Sequence, residues 1–200
     1  MKNLIIWVFG NNDVYLGNKP LLYFENNEFK NKSFKEKLDI LLENFDRFVG
    51  KISFPIFNAF YEQVISKEEE YNLIWIVSED VDDKSDTKEI VKLLEKYLHF
   101  KEIKNINILP ISEHIILRYI YEVDKISDAL ALYFESKNIL DFYDKIYLNI
   151  TWWTKIMALS LFCVLKNLRK IDNIFVYYAI WDKDNNITKF INFNYLNFVC

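Results

Sequence analysis

The residues best suited to chemistry lie just after short apolar runs. The most informative stretch is Thr151-Trp152-Trp153-Thr154-Lys155, which follows the run Lys145–Ile150. Side chains alternate along a strand, so Ile146, Leu148 and Ile150 share one face, while Tyr147, Asn149 and Thr151 share the other. A helix is predicted to begin at about Thr151–Thr154, and the first amides of a helix have no partner within it. The hydroxyls of Thr151 and Thr154 can cap that helix or reach a ligand. Lys155 sets a full positive charge against the positive end of the helix dipole, where it adds nothing to helix stability. Amides, two hydroxyls and a lysine at one helix start suit a phosphate. A second polar group, Gly10-Asn11-Asn12-Asp13, follows the run Leu4–Phe9. Two further loops offer Ser78, Glu79 and Asp80, and then Pro110 to His114 with Ser112 among them. Asp13 and Glu79 are anionic and suit a hydrogen-bond donor rather than a phosphate. His114 is the one further candidate acid or base, weighed against a surface or cap-region histidine. His99, at a helix end, suits the dipole there.

These loops converge only if the runs before them form one parallel sheet. Four runs, Leu4–Phe9, Leu73–Val77, Asn105–Leu109 and Lys145–Ile150, read as strands buried on both faces. Helical spacing separates them. Ser33 and Glu36 form a capping box for a predicted helix over Phe34–Val49. A second helix is predicted to start at Ser53 with Pro55 in its first turn. Asp86 is a cap for a helix over Thr87–Leu98, Ser112 to Ser136 reads as one or two helices, and Trp153 to Leu168 as the last. Ile174–Trp181 and Ile187–Phe193 flank a five-residue turn and read as an antiparallel hairpin at a sheet edge. A smaller hairpin is predicted for Leu21–Phe24 and Glu28–Lys30. The fold class is therefore α/β: a Rossmann-like, mainly parallel sheet flanked by helices, with a C-terminal antiparallel β-hairpin. In such sheets ligands bind in the crevice at the carboxyl ends of the strands, where the four loops lie.

Composition narrows the function. The chain has 200 residues, 52% hydrophobic and 27% charged, which is globular and long enough for a sizeable core. Net charge is −4, and only Arg47, Arg118 and Arg169 are arginine among 25 basic residues, so no duplex nucleic-acid partner is expected. Three glycines cannot build a P-loop or a G-x-G-x-x-G fingerprint, which disfavours a dinucleotide cofactor. No cofactor is expected. Two Cys and two His without C-x-x-C or H-x-x-x-H spacing give no metal site. The longest apolar run, near Ile156–Leu165, is short of the ~20 residues a membrane span needs, and the N-terminal run lacks a cleavage pattern. A soluble, cytoplasmic chain without a membrane partner is expected. Ile156–Leu165 is apolar nearly all round and is predicted to be buried in sheet and dimer contacts.

The stretch Tyr147–Met157, Y-L-N-I-T-W-W-T-K-I-M, resembles the signature of CARF domains, the CRISPR-associated Rossmann-fold sensors of type III systems. Their pattern is a hydrophobic strand, then T-G-G-T-K-x-M or T-S-G-T-x-x-M, then a helix; Thr151, Thr154, Lys155 and Met157 match it. The run V-F-G-N-N-D at Val8–Asp13 is similar to the family's other ligand loop. The resemblance spans nearly the whole chain, read as one domain over residues 1–200 with no separate effector domain. The chain departs from the pattern at Trp152 and Trp153, where the family usually has small residues that let backbone approach a phosphate. The two indoles either close the crevice, stack on adenine at ~1–3 kcal/mol per base, or pack against the core or a dimer partner.

The resemblance implies a homodimer that binds cyclic oligoadenylate, the tetra- or hexa-adenylate, in a shared crevice. A two-fold dimer presents the same loops twice to a two-fold ring. Asn11, Asn12 and Asp13 would then meet ribose or adenine, and Thr151, Thr154 and Lys155 the phosphate, with Gly10, Ser78, Ser112, Trp152 and Trp153 beside them. Neither His99 nor His114 closely follows an arginine, so the ribonuclease pattern of HEPN effectors is absent. Two functions fit. One is a stand-alone ring nuclease without a metal, in which a ribose 2′-hydroxyl attacks the adjacent phosphorus, Lys155 stabilises the phosphoryl charge, and Thr154 and Asn12 position the groups. The other is a non-catalytic sensor or partner module, its site altered by Trp152 and Trp153, that acts with a separate effector protein.

Overall fold

The computed structural model describes residues 2–8, 10, 12–78, 87–117, 122–136, 138–151, 155–167, 172–182 and 187–193. Its strands in chain order are β1 (Lys2–Trp7), β2 (Tyr15–Leu16), β3 (Lys19–Pro20), β4 (Ile52–Ser53), β5 (Glu70–Ser78), β6 (Ile106–Ile108), β7 (Ile115–Leu117), β8 (Lys145–Asn149), β9 (Ile174–Asp182) and β10 (Ile187–Phe193). The helices are α1 (Phe34–Glu43), α2 (Phe45–Phe48), α3 (Pro55–Gln63), α4 (Thr87–Phe100), α5 (Val123–Ser136), α6 (Ile139–Phe142) and α7 (Lys155–Asn167).

The main sheet runs β10-β9-β8-β1-β5-β6, with β7 also paired to β5. Every pair is parallel except β9–β10. The C-terminal hairpin is as expected, but only β10 runs antiparallel; β9 joins β8 in parallel. The central strands β1, β5 and β8 are covered on both faces and divide their apolar residues between two cores. The edge strand β6, expected to be buried on both faces, joins one core through Ile106 and exposes Asn107, because among the described residues no strand or helix covers its other side. Ile5, Trp7, Leu73, Trp75 and Tyr147 pack under α1, α3 and α4. Leu4, Ile6, Ile74, Ile146 and Leu148 pack under α5 and α7. Near-continuous apolar strands are the sequence mark of such double burial. Among the described residues no helix is long and apolar enough to cross a membrane.

Several predicted elements are corrected. The helix over Phe34–Val49 breaks at Asn44, whose backbone (φ −115°, ψ 35°) leaves the helical region, giving α1 and α2; the Ser33–Glu36 capping box is present. The second helix starts at Pro55, because Ile52–Ser53 is drawn into a small sheet, β3-β2-β4. The small hairpin joins Tyr15–Leu16 to Lys19–Pro20 through Gly17 at φ +62°, while Leu21–Tyr23 is a 3-10 turn rather than a strand. The buried Lys37 holds that segment down by donating to the carbonyls of Leu22 (3.2 Å) and Phe24 (2.9 Å) and to Glu25 (2.8 Å). Ser112–Ser136 is not wholly helical: a 3-10 turn at Ile111–Glu113 and the strand β7 precede α5. In α7, Leu159 and Cys163 are exposed while Met157, Leu161 and Val164 are buried, so the helix keeps one open face in the single chain. Asp86 lies outside the described residues.

His114 is neither on the surface nor at a cap. It is 6% exposed, with its ring stacked 3.5 Å from that of Trp75. Pairing of β5 with β6 ends at Leu73 and pairing with β7 begins at Ile76. The Trp75 amide falls in that gap and donates instead to His114 Nδ1 at 3.3 Å. A side chain thus supplies the acceptor that a neighbouring strand would have given.

Candidate functional site

Because β1, β8 and β9 are parallel neighbours, with Trp7 beside Asn149 and Asn149 beside Tyr177, their carboxyl ends share one rim of the sheet. The chain leaves β1 into a tight loop closed on itself. Asp13 Oδ2 accepts from the Gly10 amide at 2.8 Å, and the Asp13 amide donates back to the Gly10 carbonyl at 2.9 Å. Asp13 is 2% exposed, so its carboxylate sits within the loop's frame rather than in the crevice. Burial, and then the charge of Asp13, raises the Tyr15 hydroxyl above its ordinary pKa. Asn12 follows the loop into the rim, and its Oδ1 is buried with no hydrogen-bond partner among the described residues.

At the end of β8 the chain turns through Thr151. The Thr151 amide donates to Asn149 Oδ1 at 3.0 Å and its hydroxyl donates to the same oxygen at 2.5 Å. That hydroxyl in turn accepts from the Ala179 amide of β9 at 3.0 Å. Pairing of β8 with β9 ends at Asn149–Tyr177, so the Thr151 side chain extends the join past the last ladder pair. The Thr151 hydroxyl is therefore engaged by its own fold.

A pocket of about 560 Å³ opens at this rim. Its floor holds Asn12 and Thr151, one wall is Tyr178, Ala179 and Ile180 of β9, and the other is Tyr15, Pro20 and Tyr23 from the small sheet and its following turn. Pro55 and Ile56, at the start of α3, close it. Among the described residues the lining is aromatic and aliphatic with a few polar tips and no charged side chain, which suits a flat aromatic ligand. Tyr23 is 65% and Tyr178 is 41% exposed, large for aromatic side chains without a partner surface. A larger groove of 830 Å³ lies between α1–α2 and α4, away from the strand ends, with Phe45 and Phe100 among charged side chains.

Of the residues singled out from sequence, Asn12 and Thr151 line the pocket, and Gly10 and Asp13 form the loop beneath it. Ser78 ends β5 with its side chain outside the described residues, and Ser112 is exposed in the 3-10 turn and is not among the described residues that line the pocket. Lys155 is the first residue of α7, which lies directly after the rim, but its side chain, together with Asn11, Trp152, Trp153 and Thr154, lies outside the described residues. Sequence reasoning missed Tyr15, Tyr23, Tyr178 and Ile180. The alternation of the last hairpin carried a signal for Tyr178 and Ile180, which share one face; nothing in the pattern announced the small sheet.

Comparison with known families places this architecture. Residues 56–196 match the family model of the Card1 CARF domain. The chain belongs to this CARF family. The match covers β8, Thr151 and α7, and begins after β1 and its Gly10–Asp13 loop. No curated protein matches the chain. Among solved structures the CARF chain is similar to Can2 from Sulfobacillus thermosulfidooxidans in complex with cyclic tetra-adenylate, at 13% identity and a TM-score of 0.40. That likeness covers 94% of this chain and 36% of Can2, so the CARF chain spans about a third of that protein's length.

Proposed function

We propose that this CARF domain is a receptor for cyclic oligoadenylate in type III CRISPR signalling. The reading is carried by the aromatic-lined pocket at the rim shared by β1 and β8 in a chain of this family. Adenine stacks on Tyr23 or Tyr178, and its exocyclic amino group donates to the unpartnered Asn12 Oδ1. The phosphate lies over the first amides of α7, with Thr154 and Lys155 beside it. Two copies of the chain, related by a two-fold axis, hold one tetra- or hexa-adenylate ring, and the occupied dimer signals to a separate effector protein.

The same placement serves ring cleavage. A ribose 2′-hydroxyl attacks the adjacent phosphorus in line, the 5′-oxygen leaves, and the products are a 2′,3′-cyclic phosphate and a 5′-hydroxyl. Lys155 offsets charge on the phosphoryl oxygens, and Thr154 and Asn12 orient the reacting groups.

The test is incubation of the protein with cyclic tri-, tetra- and hexa-adenylate, followed by melting temperature and product chromatography. A ligand at a hundredfold excess over its Kd adds about 2.7 kcal/mol to the stability of the state that binds it. A raised melting temperature with an intact ring is the receptor; linear products ending in a cyclic phosphate are the nuclease. No shift and no product with any ring would refute the proposal and leave Trp152 and Trp153 as residues that close the crevice.

A further inference from the structure

Tyr23 lines the pocket and is 65% exposed, yet the residues around it are fixed. Leu21 is fully buried, and its amide donates to the Val14 carbonyl at 2.8 Å. The Phe24 ring meets that of Phe29 edge-on, with centroids 5.5 Å apart. Leu21–Tyr23 is a 3-10 turn, closed by the Phe24 amide on the Leu21 carbonyl at 3.1 Å. Hydrogen bonds in such a turn are poorly aligned, so the turn alone holds a side chain loosely. Lys37 of α1 supplies what the turn lacks. Its Nζ donates to the carbonyls of Leu22 and Phe24, the residues before and after Tyr23, and to the Glu25 carboxylate. Lys37 is itself 2% exposed. A buried ammonium adds little net stability, and an apolar side chain of like volume in its place is often neutral or stabilising. What its three N–H groups do add is a fixed backbone on both sides of Tyr23. The opposite wall needs no such device, because Tyr178 is paired with Ile191 in the ladder of β9 and β10. Residues 56–196, which match the family, supply that opposite wall; the Tyr23 wall comes from the segment before them.

We propose that Tyr23 is the side chain that stacks on a base of the bound cyclic oligoadenylate, and that Lys37 is its positioning residue. This rests on the reading of the pocket as a nucleotide site. Lys37 makes no contact with the ligand; it holds Tyr23 in the stacking direction before the ligand arrives. A wall already ordered in its bound form loses less freedom on binding, and affinity rises accordingly. The two roles are separable by chemistry. Tyr23→Ala removes the ring and leaves the clamp, whereas Lys37→Met keeps a long side chain in place and removes all three donors.

The experiment is titration of wild type, Y23A, Y23W, K37M and the double variant Y23A/K37M with cyclic tetra-adenylate, below the lowest melting temperature of the ligand-free set. Wild type binds. Y23A melts with wild type, because the lost ring is mostly in solvent, and binds about tenfold more weakly. Y23W binds like wild type, since an indole offers the same flat face. K37M binds about tenfold more weakly. The double variant binds no more weakly than Y23A, because two residues that act through one contact are not additive. Equal affinity of wild type with Y23A or with K37M overturns the inference. So does a double variant in which the two losses multiply, which gives Lys37 a role apart from Tyr23. Where K37M does not fold, the readout is the backbone order parameter of Leu22–Phe24 in the ligand-free wild type: a rigid value of about 0.85 supports the clamp, and one below about 0.6 overturns it. A wild-type chain that does not bind the ring overturns the nucleotide-site reading itself, and this inference with it.

Discussion

Thr151→Val separates two roles for a residue that the motif assigns to the ligand. Valine keeps the shape of threonine and removes the hydroxyl. In the structure that hydroxyl makes two bonds, one donated to Asn149 Oδ1 at 2.5 Å and one accepted from the Ala179 amide at 3.0 Å. Both are partly buried, and a net hydrogen bond is worth about 0.5–1.5 kcal/mol. The loss is therefore about 1–3 kcal/mol with no ligand present. For a chain of this size each kcal/mol lowers the melting temperature by about 2–4 °C, so T151V melts about 2–12 °C below wild type. Thr151→Ser keeps both bonds and stays within about 1 kcal/mol. The assay is thermal and urea unfolding of the ligand-free protein, with amide exchange at Ala179 as the local readout. T151V indistinguishable from wild type, with Ala179 still protected, would refute the reasoning and return Thr151 to the ligand alone.

Other perturbations test other parts of the molecule. His114→Ala removes the acceptor of the Trp75 amide and the ring stacked on Trp75, and should cost about 2–4 kcal/mol; amide exchange at Trp75 should accelerate, and unchanged exchange would contradict the role given to this histidine. Glu69 is held below its ordinary pKa of 4.5, first by the hydrogen bond from Lys145 and then by that from Tyr71. Its contribution is thus present above pH 4.5 and is lost as pH falls through the folded value. The same bond raises Lys145 above 10.5, a contribution lost as pH rises through its folded value. Glu69→Gln should flatten the acid limb of urea stability below about pH 4.5; an unchanged limb would count against the pairing. Lys155→Ala should leave the ligand-free melting temperature unchanged, since a lysine in the first turn opposes the dipole, and should weaken cyclic tetra-adenylate binding about tenfold. Equal affinity and equal turnover in that variant would remove Lys155 from the site.

What the sequence determined follows from periodicity and covalent chemistry. Unbroken apolar runs such as Leu4–Phe9 predicted strands buried on both faces, and β1 and β5 are so buried. Alternation in Lys145–Ile150 separated Ile146 and Leu148 from Tyr147, and these residues do lie in different cores. The spacing T-x-x-T-K-x-M after a strand carried the family, because a strand-to-helix turn is local and its residue types are read without any partner.

Tertiary structure decided everything that depends on a neighbour distant in sequence. Ile52–Ser53 is a strand only because Tyr15–Leu16 lies beside it. His114 is an internal hydrogen-bond acceptor only because β6 and β7 leave a gap on β5. Thr151 looked like a free hydroxyl because Ala179 stands 28 residues further along the chain. The pocket joins Asn12 after β1, Thr151 after β8, the small sheet, α3 and β9, which no sequence window spans. Local spacing fixes which face a side chain takes, but whether a polar tip meets a ligand or the fold's own backbone is set by long-range pairing, which no local pattern records.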